Sequence, residues 1–317
     1  MSKKIFSVLS AAVLLALALL CGCSHNERES GKLQIVTTIF PAYDFARQVF
    51  GDKADVTLLL KPGMESHSYD PSAQDIVKIE KCDLFIYNGG ESDAWVENVL
   101  KSTNEVNALR MMSFVEALEE EELIGAEEHE HEHEHGEDEE YDEHIWTSPQ
   151  NAALIVDGIK REAVKIDEKN RDMYEQNAAD YSEKILDLDR RFSELLAGES
   201  RYFVFGDRFP LLYFFKEYGL NYYAAFPGCG AETEPSAQTI AFLTEKLKEQ
   251  NTVPAVFYIE LSNHKLADTL AAENKLPTVE FHTCHNITAD DFSAGESYVS
   301  LMEINYQTLE NILKRGS

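Results

Sequence analysis

The stretch that decides the fold is residues 167–196, DEKNRDMYEQNAADYSEKILDLDRRFSELL. It contains neither glycine nor proline. Tyr174, Tyr181, Ile185, Leu188, Phe192 and Leu195 recur at spacings of three, four and seven, so they share one face of an α-helix. The spacing predicts a helix of about thirty residues, on the order of 45 Å long. That is longer than an ordinary domain helix, and a rigid connector between two lobes is the simplest use for it. The other reading is two ordinary helices broken near Asp180.

The chain on either side supports the connector. Before it, apolar runs at 33–40, 56–60, 84–88 and 106–111 read as strands. Helical patterns at 42–50, 72–82 and 93–101 separate them, and a further helix follows Ser148-Pro149. After it, strands at 202–206, 222–226, 255–260 and 278–282 alternate with helices at 211–218, 236–250, 265–274 and 290–314. Strands joined through helices argue for a parallel sheet covered on both faces. The predicted fold is therefore α/β, with two lobes, each a mainly parallel sheet flanked by helices, joined by one long rigid helix. Expected boundaries are an amino-terminal lobe at 33–166, the connector at 167–198 and a carboxyl-terminal lobe at 199–317. In such sheets ligands bind at the carboxyl ends of the strands.

The most unusual composition lies at 127–149, EEHEHEHEHGEDEEYDEHIWTSP. As a strand this would carry His129, His131, His133 and His135 on one face and glutamates on the other, with neither face fit for a core. Residues 119–140 read as a solvated loop rich in nitrogen and oxygen donors, an accessory metal-gathering segment. The alternative is an acidic linker whose histidines are incidental. His144 differs, because the charge run ends there and an apolar, proline-containing segment begins.

Formal charge follows the same theme. Lys and Arg number 28 against 57 Asp and Glu, a net −29 over 317 residues. That excludes a nucleic-acid partner and favours cations. No HExxH spacing or supported Ser/His/Asp arrangement points to an enzyme. At the amino end, Lys3 and Lys4 precede an apolar run at 5–20, which reads as a secretory signal too short to span a bilayer. Leu20-Cys21-Gly22-Cys23 resembles the bacterial lipobox. That resemblance implies a signal peptide of residues 1–22, lipidation of Cys23 and a tether at 23–32. Simple secretion and use of Cys21 are the alternatives. Cys82, Cys229 and Cys284 remain, so at most one bridge forms within the chain. Cys229 and Cys284 are the expected pair.

Three features together resemble the zinc/manganese substrate-binding proteins of bacterial ABC transporters, over residues 33 to about 316. Gly63-Met64-Glu65-Ser66-His67-Ser68-Tyr69-Asp70-Pro71-Ser72 is similar to that family's first-ligand loop. Asp142-Glu143-His144-Ile145-Trp146-Thr147-Ser148-Pro149, directly after a His-rich acidic loop, is similar to its second, and the lipobox is the third. The resemblance implies that His67 and His144 bind metal outside the membrane, for delivery to a permease and its ATPase. Two segments depart from the pattern. Before the helix ending Tyr218-Gly219-Leu220, where the family places a histidine or glutamate, the chain reads Phe205-Gly206-Asp207-Arg208-Phe209-Pro210. Asp207 is the nearest candidate ligand there, or else a helix cap or a partner for Arg208. After the last strand, Glu280-Phe281-His282-Thr283-Cys284-His285-Asn286 stands where the family has an acid. His282 and His285 both qualify, one as ligand and one as support, and Cys284 qualifies if reduced. Glu232 and Glu234 are weaker substitutes.

Imidazoles with one carboxylate suit four-coordinate zinc, whereas manganese prefers more oxygen. The expected function is zinc capture between the lobes by a monomeric, lipid-anchored, extracytoplasmic component of an ABC importer. Affinity would fall as pH drops through about 6.5. A zinc hydrolase and a surface adhesin with a structural metal are the competing classes.

Overall fold

The computed structural model describes residues 31–64, 69–103, 105–121, 141–228, 235–249 and 251–315. The leader, Cys23, His67, the four loop histidines, Cys229, Glu232 and Glu234 lie outside the described residues.

The first four strands are β1 (Leu33–Thr37), β2 (Ala54–Leu58), β3 (Leu84–Tyr87) and β4 (Ala108–Arg110). They form an all-parallel sheet in the order β2-β1-β3-β4. The last four are β5 (Tyr202–Phe209), β6 (Asn221–Pro227), β7 (Thr252–Ile259) and β8 (Thr278–Phe281). They repeat the permutation in parallel, β6-β5-β7-β8. Each sheet reverses its winding at its first strand, so the carboxyl ends of β1 and β3, and of β5 and β7, border natural crevices.

Helix signals are local and readable. Pro41 lies in the first turn of α1 (Phe40–Phe50). Ser72 and Asp75 close a capping box on α2 (Ala73–Lys81). Next come α3 (Ala94–Ser102) and α4 (Pro149–Ile166), where Ser148 Oγ accepts from the Asn151 amide. The connector α5 is Arg171–Leu196, 26 residues without a break at Asp180. It starts later than expected because Asp167 leaves helical geometry (φ −146°, ψ 68°) and a single 3₁₀ turn intervenes. Beyond it lie α6 (Leu212–Glu217), α7 (Ala237–Lys248) and α8 (Lys265–Asn274). The single helix expected at 290–314 is two, α9 (Ala289–Ala294) and α10 (Tyr298–Arg315). Gly295 ends α9 at φ 81°, where its amide bonds back to Asp291 and Phe292.

Strand alternation sorts the core. Ile35 of β1, Phe203 and Phe205 of β5 and Phe257 of β7 face one continuous apolar cluster. Tyr181, Ile185 and Phe192 of α5 and Tyr298 and Leu309 of α10 join the same cluster. Val36 and Phe85 pack on the outer face of the first sheet with Ile79 and Val96. Val204 and Val256 do so on the second with Leu243 and Leu270. The connector is therefore a packed wall of the core, lying against α4, α1 and α10. Residues 33–317 form one unit by contact; of the preceding segment only residues 31 and 32 are described.

Candidate metal site

The segment Asp142 to Ser148 runs into α4 and is buried throughout. Glu143 holds it to the first sheet: its carboxylate accepts from the amide of Ser92 at 3.0 Å and from the Ser92 hydroxyl. Gly90 permits this approach, since a Cβ there would lie 2.2 Å from Glu143 Cβ. Asp142 then orients His144. One carboxylate oxygen accepts from the His144 amide at 2.7 Å and lies 3.1 Å from Nδ1. A carboxylate only accepts, so Nδ1 carries the proton and the Nε2 lone pair is left for a metal. Burial pushes the His144 imidazole down, but the carboxylates of Asp142, Glu143 and Glu120 outweigh it and the net shift is upward.

The loop after β8 brings the second imidazole. Cys284 takes φ 60°, an uncommon conformation for a residue with a side chain. It sends His282 and His285 in different directions. His285 stands edge-on to His144 with ring centroids 5.3 Å apart, and Trp146 lies 5.0 Å from His285 and 5.5 Å from His144. Trp146 Nε1–H donates to the Thr283 carbonyl at 2.9 Å. Glu260, just beyond β7, accepts from the Thr283 amide at 2.7 Å and hydroxyl at 2.6 Å. His144, Glu260, Thr283 and His285 line a cavity of about 40 Å³, with Arg208, Pro210, Met64 and Asn286 among the other walls. That volume holds an ion with few waters.

The first-ligand loop reaches the same place. Met64 lines the cavity, Asn286 Nδ2 donates to its carbonyl, and the Gly63 amide donates to Ile287 at 2.9 Å. His67 itself is outside the described residues. Among those described, no three His, Cys, Asp or Glu side chains are grouped to hold a metal ion.

Two expected ligands are not in the wall. Asp207 spends its oxygens on the amides of Arg208 (2.8 Å) and Ile259 (3.3 Å), tying β5 to β7. It was expected in a loop, but β5 runs on to Phe209, with a register shift between Phe205 and Arg208. His282 is buried beside the core. Its Nδ1 accepts the Cys284 amide at 2.9 Å, which places the ring proton on Nε2 and removes the lone pair a metal would need. Its backbone is held by Asn305 on both sides.

Cys229, the expected partner of Cys284, lies outside the described residues. Cys284 is a free thiol packed in the core and is not part of the cavity wall, and burial pushes its pKa far up. Cys82 is also free, as expected for a small packing residue, and burial pushes it up to about 12. Arg208, Glu260 and Asn286 were not singled out from sequence. Glu260 had a visible signal, a carboxylate closing an apolar strand.

The ends of the His-rich segment meet beside this cavity. Glu119 bridges Tyr141 in antiparallel fashion, and the Asp142 amide donates to Leu118 at 2.9 Å. Tyr213 Oη accepts from the Leu118 amide and donates to the Asp142 carbonyl.

Comparison with known proteins agrees with this arrangement. The family described as ZnuA, zinc-uptake complex component A, periplasmic, matches residues 35–312. The chain belongs to the ZnuA family. It is 34% identical over 314 residues to the zinc-binding lipoprotein AdcA of Streptococcus pneumoniae. The match covers 97% of this chain but only 60% of AdcA. It is also 34% identical over 315 residues to the high-affinity zinc uptake system protein ZnuA of Bacillus subtilis, covering 96% of each. Among solved structures, the Zn(II)-bound ZnuA-like domain of S. pneumoniae AdcA superposes with a TM-score of 0.73 at 32% identity. That superposition covers 89% of this chain and 99% of the domain. ZnuA is a family of uptake-complex components rather than of enzymes.

Proposed function

We propose that this ZnuA-family chain captures zinc outside the membrane and passes it to an ABC permease and its ATPase, binding and releasing the ion without chemical turnover. The observation that carries the reading is the pairing of His144 and His285 at 5.3 Å in one buried cavity, with His144 set by Asp142 as a metal ligand requires. His67, three residues beyond Met64 of the wall, supplies the third nitrogen. The proposed organisation is an amino-terminal lobe at 33–166, the connector at 167–198 and a carboxyl-terminal lobe at 199–317, acting as a monomer anchored through Cys23. His129, His131, His133 and His135 gather metal loosely and pass it inward.

The test is calorimetric zinc titration of residues 24–317, with element analysis of the purified protein. One tight site per chain plus weak additional ones is expected. Absence of a tight zinc site in the wild type would overturn the reading.

A further inference from the structure

Two neighbouring strands end side by side. Ile259 of β7 pairs with Phe281 of β8, so Glu260 and the loop from His282 to Ile287 leave the sheet together. Side chains then take three successive amides of that loop. Glu260 accepts from the Thr283 amide at 2.7 Å, His282 Nδ1 from the Cys284 amide at 2.9 Å, and Thr283 Oγ1 from the His285 amide at 3.2 Å. These bonds hold the turn in which Cys284 takes φ 60°, a conformation that persists in such a residue only where its surroundings impose it.

Thr283 is the hub of the turn. Its hydroxyl donates to the other oxygen of Glu260 at 2.6 Å while accepting the His285 amide, and a hydroxyl can do both at once. Its carbonyl accepts Trp146 Nε1–H at 2.9 Å, and the Trp146 ring lies against both His144 and His285. Glu260 is 6% exposed and Thr283 2%, so water competes little for these bonds. Bonds to a carboxylate are also the stronger, charge-assisted kind. A continuous line of hydrogen bonds thus runs from one buried carboxylate, through one hydroxyl, to the backbone that carries His285. Resting on the metal-capture reading above, we infer that Glu260, acting through Thr283, is the positioning residue that sets the His285 imidazole opposite His144 before the ion arrives.

Thr283→Val keeps the backbone bonds and nearly the volume of the side chain but removes the hydroxyl. In calorimetric zinc titrations of the mature chain it should weaken binding on the order of tenfold. Thr283→Ser, which keeps the hydroxyl, should restore most of that loss. A structural role elsewhere would not pass through His285, so the cycle with His285→Ala decides: against that background, titrated at raised zinc, Thr283→Val should cost little more. Glu260→Gln turns one acceptor into a donor that faces donors and should weaken binding at least as far as Thr283→Val. Apo melting temperatures check folding, and if Thr283→Val does not fold, Glu260→Gln takes its place in the cycle. Three outcomes each overturn the inference and leave metal capture standing: variants that bind zinc like wild type, Thr283→Ser falling as far as Thr283→Val, or a loss that persists in full without His285. A wild type with no tight zinc site overturns both.

Discussion

The imidazoles of His144 and His285 meet at an interplanar angle of 76°, one delivered by the segment before α4 and the other by the loop after β8. If both are ligands, His144→Ala and His285→Ala should each weaken zinc binding on the order of a hundredfold or more. His282→Ala should cost far less. Asp142→Ala, which removes the carboxylate on Nδ1, should cost roughly ten- to a hundredfold. Calorimetry on the four variants checks this ordering, and a tight site indifferent to His285→Ala would contradict it.

Trp146 is one of two tryptophans and sits against both rings. Its indole N–H holds the Thr283 carbonyl, and its own carbonyl accepts from Tyr298 Oη at 2.9 Å. Zinc addition should therefore change tryptophan fluorescence, and Trp146→Phe should abolish that change. The same variant strands a buried carbonyl and should lose about 1–3 kcal/mol of stability by denaturant titration.

Deleting residues 120–140 and joining the flanks with a short turn should leave the fold and the tight site intact. Glu119, Tyr141, Leu118 and Tyr213 already hold the two ends together. Uptake at scarce zinc should slow. Loss of tight binding on deletion would end the proposed division of labour between loop and cavity.

Glu217 of α6 gives a pH signature. Burial, with Asp189 nearby, pushes its carboxyl up from 4.5 to about 8. The folded state thus holds a proton that the unfolded chain releases near 4.5. Its contribution is full below that value and is lost as pH rises through about 8. Glu217→Gln should flatten this dependence and gain about 2 kcal/mol relative to wild type at pH 8, read from urea midpoints at pH 5 and pH 8.

Much of this architecture is written in local signals. Ser72 and Ser148 cap the helices they precede, and the apolar stripe from Tyr174 to Leu195 predicts an unbroken connector, although Leu196 rather than Leu195 is the leucine buried at its end. His144 stood out because the charge run stopped there. The carboxyl lobe was less legible for physical reasons. Gly206 suggested a strand end, yet it is a close-packing position against α8 that lets β5 continue and place Arg208 at the cavity. The choice between His282 and His285 turns on a positive φ at Cys284, a residue type that does not announce one. Gly295 ended a helix that side-chain periodicity alone would have carried through.

The apolar cluster shared by both sheets, α5 and α10 has a thermodynamic consequence. Two sheets built by the same winding could have been independent folding domains with a flexible join. Here Ile35 and Phe45 belong to the same cluster as Phe205 and Phe281, and Asp44 of α1 accepts the Tyr298 amide of α10 at 2.9 Å. Neither half has a complete interior alone, so heating should melt them together in one calorimetric peak, with no half-folded species populated between.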